Sequence, residues 1–265
     1  MPLLPAAIDT FLLRIQSRLR RARIAGFGKI SIPKRRVVYL DAGLHQTAEQ
    51  IALMLKWFGQ TADLQIHGLE AHPDYARECQ RLFAGDPRVQ IHNFALVGPD
   101  HRGSTDALHL DGQKGLGNSL FAARGGDAIS VPAIRLSDFL RINQIVCPGD
   151  IVLLRMNIEG AEMQVIEDLA TAGMIGQIDG FYGMWDDLYK IDPALDEKFR
   201  ALMRREGVRT FTFNDRDAGR MAPPERIGII RYDIETSLYR GDKRKSRVAQ
   251  RSGTRLGTGR FLSER

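Results

Sequence analysis

From residue 37 onward, short apolar runs alternate with helix-like stretches, and this alternation constrains the fold more than any other feature of the chain. Val37–Leu40 is a compact apolar run that ends in Asp41-Ala42-Gly43. Helix-like sequence follows from about Thr47 to Phe58. A second strand reads Leu64–Leu69 and closes on Glu70, and Asp74–Phe83 has helical spacing with Pro73 just ahead of it. A third strand is expected over Val89–Val97. Strand–helix–strand–helix–strand is the pattern of a parallel sheet with helical crossovers. Cys79 shares a helix face with Tyr75, Leu82 and Phe83, so it reads as a core residue.

Residues 98–130 interrupt the rhythm. They are rich in glycine and polar residues, the composition of a hairpin or a flap. Gly112, Gly115 and Gly117 stand away from any strand-to-helix junction and read as turn residues, not as a phosphate cradle. Val131–Leu136 resumes as a strand, with Ser137 placed to cap a short helix holding Phe139 and Leu140. Alternation then returns: strand Ile151–Ile158, helix Ala161–Ala172, a strand near Gln177–Tyr182 and an amphipathic helix Ala194–Glu206. Thr210–Phe213 and Ile227–Tyr232 read as the last two strands, an antiparallel pair at the sheet edge.

With 265 residues, 43% of them apolar, the chain suits one large α/β domain. Its charge is laid out unevenly. Residues 1–36 carry +8 and residues 240–265 carry +7, which leaves −9 for residues 37–239 of a chain whose total is +6. The expected organisation is a basic amphipathic arm (1–36), a folded domain (37–239) and a disordered basic tail (240–265). A nucleic-acid reader would carry its positive charge on a folded face, so nucleic acid is not the expected partner. In the arm, Ile8, Phe11, Leu12, Ile15 and Leu19 recur at helical spacing, with Arg14, Arg18 and Arg21 off the stripe. Two readings stand side by side: a helix lying on an anionic membrane surface, or a helix packed on the body. The arginines follow the apolar stretch, the reverse of a secretory signal. No run approaches the length of a membrane span, and two cysteines make no disulfide framework, so a cytoplasmic protein is expected, peripheral to the inner membrane face if the arm binds lipid. The six histidines show no metal-ligand spacing, and no metal site is expected.

Ligands of open α/β sheets bind beyond the carboxyl ends of the strands. The informative positions are therefore Asp41-Ala42-Gly43, Glu70, Asn93 and Arg155–Glu159. Gly43 allows a tight turn after the first strand, but no second or third glycine follows at dinucleotide spacing, which disfavours pyrophosphate. A carboxylate closing the second strand, Glu70, can accept two hydrogen bonds from a ribose diol. One turn glycine and one acid suit a nucleoside without phosphates, such as S-adenosylmethionine. Capping of helices is the competing reading for Glu70 and Asp41. Arg155, Asn157 and Glu159 alternate along an extended strand and are expected to point to one side. Glu162 reads first as a carboxylate favourable to a helix N-terminus.

Taken in order, Val38–Gly43, Gly68–Pro73, Asn93–Leu96, Asn118-Ser119-Leu120, Val131–Leu140 and Arg155–Glu162 resemble the motifs of FkbM-type methyltransferases over about residues 37–185. The resemblance implies a Rossmann-like, three-layer, seven-stranded sheet, mostly parallel with an antiparallel edge pair. It also implies S-adenosylmethionine as cofactor and O-methylation of a sugar or hydroxylated metabolite. By that likeness Asp41 and Gly43 flank the methionine part, Glu70 holds the ribose, Asn93 and Ala95 lie near the adenine, and Asn157 joins the donor-binding set. The chain departs from the family pattern at Leu44, His45 and Thr47, and again where Arg155 and Asn157 replace a lysine and an aspartate.

An alcohol acceptor must lose its proton during transfer, and the amide of Asn157 is no base. Glu159 is the first candidate base and His45 the second, with Arg155 expected to orient an anionic or hydroxyl-rich acceptor. For His45 the alternative is a helix-start residue bonded to backbone. Trp185 and Tyr189 are candidates for an acceptor wall, with core packing as the alternative. Against the enzyme stands a methyltransferase-fold scaffold that has lost catalysis.

Overall fold

The computed structural model describes residues 36–58, 63–111, 117–121, 127–183, 187–208 and 210–212. The arm up to residue 35, the strand expected at 227–232, the basic tail and Trp185 lie outside them. The first half runs β1 (Arg36–Ala42), α1 (Glu49–Phe58), β2 (Asp63–Leu69), α2 (Pro73–Leu82) and β3 (Val89–His92). Then come β4 (Ala95–Val97), β5 (Thr105–His109), β6 (Ala128–Arg135) and α3 (Leu136–Ile142). The second half is β7 (Ile151–Met156), α4 (Glu162–Thr171), β8 (Gly180–Gly183), α5 (Asp187–Ile191), α6 (Pro193–Arg205) and β9 (Thr210–Thr212).

Among the described residues six strands form one sheet in the order β3-β2-β1-β7-β8-β9, and every pair is parallel. The central strands β1 and β7 are nearly continuous apolar runs because both of their faces are covered. Val38, Leu40 and Ala42 join Leu154, Met156 and the helix residues Phe139, Val165 and Phe199 in one apolar cluster. Val37, Tyr39 and Leu153 join Ile51, Met54 and Cys79 in another. The chain winds outward from β1 to β3 and then returns to β7 on the other side of β1. The strand order therefore reverses between β1 and β7, and a crevice is expected at their carboxyl ends.

Several boundaries differ from the sequence reading. The strand expected over Val89–Val97 is two strands. After His92 the chain leaves the main sheet, and Ala95–Val97 pairs in parallel with β6 in a separate sheet of order β4-β6-β5. Antiparallel pairing joins β5 with β6, in this small sheet; β9 runs parallel to β8, and the expected pairing of Thr210–Phe213 with Ile227–Tyr232 lies outside the described residues. Arg36, counted with the arm, opens β1 and bonds Asp150 and Gln65. Ser137 is no cap. Position Arg135 takes that place without a side-chain bond, while the buried Ser137 hydroxyl and amide both donate to Asp168 of α4, at 2.7 and 2.8 Å. Among the described residues no helix is long and apolar enough to cross a membrane.

Candidate active site

β1 ends at Ala42, and Gly43 turns the chain with φ +83°. Its N–H donates to the carbonyl of Leu69, and a Cβ placed on it would overlap the carbonyl oxygen of Asn157. The glycine is thus required by close packing of the loop after β1 against the loop after β7. His45 follows in the left-handed region, φ +54°.

Glu70 sits immediately beyond β2 and is only 8% exposed. Its Oε2 accepts from the amide of His45 and its Oε1 from the amide of His72, both at 2.9 Å. Burial pushes its carboxyl up, and the backbone amides of His72, His45 and Leu44 pull it back toward the ionised form. A carboxylate offers about four acceptor positions, more than these amides use. Asn93 supports this corner from behind, donating its amide to the carbonyls of Glu70 and Ala71 at 2.9 Å each. The Tyr75 ring packs on His72 at 4.3 Å and His45 at 5.1 Å between centroids.

Across the switch point, Arg155 Nη1 donates to Asp41 Oδ1 at 2.7 Å and to the Gly43 carbonyl at 3.0 Å. Asp41 is fully buried; burial pushes its carboxyl up and Arg155 lowers it again. Next along the chain, Glu159 has φ +54°. The buried Glu162 accepts from the amides of Ile158 and Gly160, at 2.9 Å each, so it binds backbone donors just ahead of its helix.

These loops enclose a cleft whose empty space, counted out to its open mouth, is about 710 Å³. Of the residues singled out in the sequence, Gly43, His45, Glu70, Ala95, Asn157 and Glu159 line it. Asp41, Asn93 and Arg155 do not. Asp41 and Arg155 occupy each other beneath the Gly43 turn, so Arg155 is not placed to orient an acceptor. Asn93 acts one step back, through the Glu70 backbone. Tyr189 is 61% exposed and also stands outside the lining.

Residues 41–197 match the family model described as Methyltransferase FkbM domain. The chain belongs to the FkbM methyltransferase family. Among solved structures, Methyltransferase FkbM from Methylobacillus flagellatus KT is similar at 12% identity, covering 68% of this chain and 39% of that one, with a TM-score of 0.39. The chain therefore spans well under half of that protein's length. No curated protein matches it.

In this FkbM domain the matched region starts at Asp41 and contains every singled-out site residue. Sequence reasoning missed Tyr75, Phe94 and Ser119 as cleft residues. For Ser119 a signal existed, the Asn118-Ser119-Leu120 motif. Tyr75 was assigned to the core face of its helix, and Phe94 was hidden inside one long expected strand. Among the described residues, two buried polar atoms of cleft-lining side chains lack a partner: Nε2 of His45 and Oδ1 of Asn157. Cys79 is not reactive here: it is buried, burial pushes its thiol up to about 12, and Sγ donates to the His45 carbonyl. Among the described residues no group of three or more His, Cys, Asp or Glu side chains is arranged to hold a metal ion.

Proposed function

We propose that this FkbM-family domain is an S-adenosylmethionine-dependent methyltransferase that methylates a hydroxyl of a glycan, glycolipid or small metabolite. The observation that carries the reading is the position of Glu70, a buried carboxylate at the carboxyl end of β2 that lines the cleft and, with about four acceptor positions, keeps capacity beyond the backbone amides of His72, His45 and Leu44. Two adjacent ribose hydroxyls are donors of the kind such a carboxylate takes. The residues present fit a nucleoside donor in a second respect: Asn157 Oδ1 and His45 Nε2 are buried polar atoms without a partner among the described residues. Such atoms cost about 1–3 kcal/mol each unless a ligand satisfies them.

The bound donor supplies a methyl group on a positively charged sulfur. The chain's own work is alignment, exclusion of water and proton removal. Leu69 of β2, Phe94 between β3 and β4, and Leu108 of β5 contribute apolar and aromatic surface to the lining. Holding donor and acceptor in line in such a site yields effective molarities up to about 10⁵–10⁸ M in favourable systems. The acceptor's proton passes to Glu159 or to His45 Nε2, and a placed base contributes about 10²–10⁴-fold. Arg155 acts from beneath, through Asp41 and the Gly43 carbonyl.

A methyltransferase family match favours this enzyme over a non-catalytic scaffold. We take the protein to be cytoplasmic and seven-stranded with its last strand beyond β9. Residues 1–35 are proposed to meet an anionic membrane face, and liposome flotation with and without residues 1–25 tests that contact. The enzyme reading is tested by calorimetric titration of the full chain with S-adenosylmethionine: saturable heat is expected, and none at millimolar donor removes the reading.

A further inference from the structure

The loop Asn157–Gly160 carries three cleft residues, Asn157, Ile158 and Glu159, yet its conformation is one that backbone alone disfavours. Glu159 is a non-glycine residue at φ +54°, and Gly160 follows at φ +106°. Two side chains that the proposed chemistry does not use converge on this loop. Glu162, 1% exposed, offers one oxygen to the amide of Ile158 and the other to the amide of Gly160. Ser119, also 1% exposed, donates its hydroxyl to the Glu159 carbonyl at 2.8 Å and accepts from the amide of Phe121 at 3.1 Å.

These bonds bracket Glu159 on both sides. A non-glycine residue in the left-handed region is strained and persists only where its surroundings over-determine it. Here the over-determination is visible: the amides before and after Glu159 are held by Glu162, and its carbonyl is held by Ser119. The two clamps come from different parts of the fold. Glu162 opens α4, whereas Ser119 is bridged to His109, the last residue of β5, by two backbone bonds of 2.8 and 3.0 Å. The far wall of the cleft is thereby tied to the small sheet.

We infer that Glu162 and Ser119 are positioning residues that hold the Asn157–Gly160 loop in its ligand-ready form, with Ser119 coupling that form to the β5–β6 hairpin. The inference rests on the proposed donor for one of its two readouts. A matched comparison separates positioning from mere stability. Asp168 is a second buried carboxylate, 3% exposed, that likewise accepts two bonds, but from Ser137 and outside the cleft lining.

The experiment compares the full chain with Glu162→Gln, Ser119→Ala, Ser119→Thr and Asp168→Asn. Each is measured for thermal midpoint, for titration with S-adenosylmethionine and for hydrogen exchange of the peptide spanning 157–161. Gln keeps the shape of Glu162 but turns an amide donor toward one of the two N–H groups. Glu162→Gln is expected to weaken donor binding by about tenfold or more, the scale of one to two lost charged hydrogen bonds. Ser119→Ala is expected to weaken it by about threefold to tenfold, with Thr restoring most of that. Asp168→Asn is expected to lower the midpoint as Glu162→Gln does and leave donor affinity within about twofold, because its bonds lie outside the cleft. If Glu162→Gln lowers only the midpoint, in the manner of Asp168→Asn, the inference is overturned. If the parent binds no donor, the proposed function fails instead. Hydrogen exchange then decides this inference: faster exchange at 157–161 in Glu162→Gln and Ser119→Ala, but not in Asp168→Asn, supports it, and unchanged exchange overturns it.

Discussion

Arg155 Nη1 lies 2.7 Å from Asp41 Oδ1 and joins residues that stand directly opposite each other in the parallel pairing of β1 and β7. The pair sits under the Gly43 turn, where the strand order reverses. Removing the cation strands a fully buried carboxylate, so Arg155→Met is expected to destabilise the fold by about 3–5 kcal/mol in urea unfolding. The loss has a predicted pH dependence. Without Arg155 the folded-state carboxyl of Asp41 rises further above its unfolded value, so the penalty is small below the ordinary carboxylate range and grows as pH rises through it. Arg155→Met is thus expected to be closer to the parent at pH 4 than at pH 7.5. Replacing both members, Asp41→Val with Arg155→Met, is expected to recover much of the loss.

Gly43 tests whether the two strand-end loops must touch. Its φ of +83° and the overlap of any Cβ with the Asn157 carbonyl predict that Gly43→Ala costs more than about 2 kcal/mol. Gly85, with nothing near the corresponding position, is the comparison: Gly85→Ala is expected to shift the thermal midpoint little. Equal effects of the two substitutions would remove the packing argument.

Away from the cleft, His67 and His92 pair through ring nitrogens 3.2 Å apart, with Phe139 edge-on to both and His67 2% exposed. Burial, the neighbouring His92 and then Arg36 push His67 down to about 4. Burial lowers His92 as well. A histidine depressed in the folded state takes up its proton in the unfolded chain first. The stabilisation is therefore complete above about pH 6.5 and is lost as pH falls toward about 4. Unfolding free energies measured between pH 7.5 and 4 are expected to fall less steeply for His67→Leu than for the parent. Parallel slopes would show that this pair does not titrate as described.

The strand ends were legible because periodicity places them. The apolar runs before Asp41 and Arg155 mark buried parallel strands whose first polar residues lie near the carboxyl ends, and Glu70 follows the last apolar residue of β2. What periodicity does not carry is pairing. The bond between Asp41 and Arg155 spans 114 residues and depends on the register of β1 on β7, although two opposite charges inside buried apolar runs were a usable hint. Val89–Val97 read as one strand because only Asn93 separates the alternating Val89–His92 from the apolar run Phe94–Val97. The break is a tertiary event, set by Asn93 bonding the Glu70 and Ala71 carbonyls while Ala95–Val97 pairs with β6. Ser137 misled for the same reason: local spacing favours a cap, but its partner Asp168 lies 31 residues ahead.

The most direct measurement is calorimetric titration of S-adenosylmethionine into the parent chain and into Glu70→Ala, with circular dichroism confirming that the variant stays folded. On the proposed function, in which this carboxylate accepts from the ribose hydroxyls, its loss is expected to weaken affinity by about tenfold to a hundredfold or more. A folded Glu70→Ala protein that holds the donor as tightly as its parent would contradict the account.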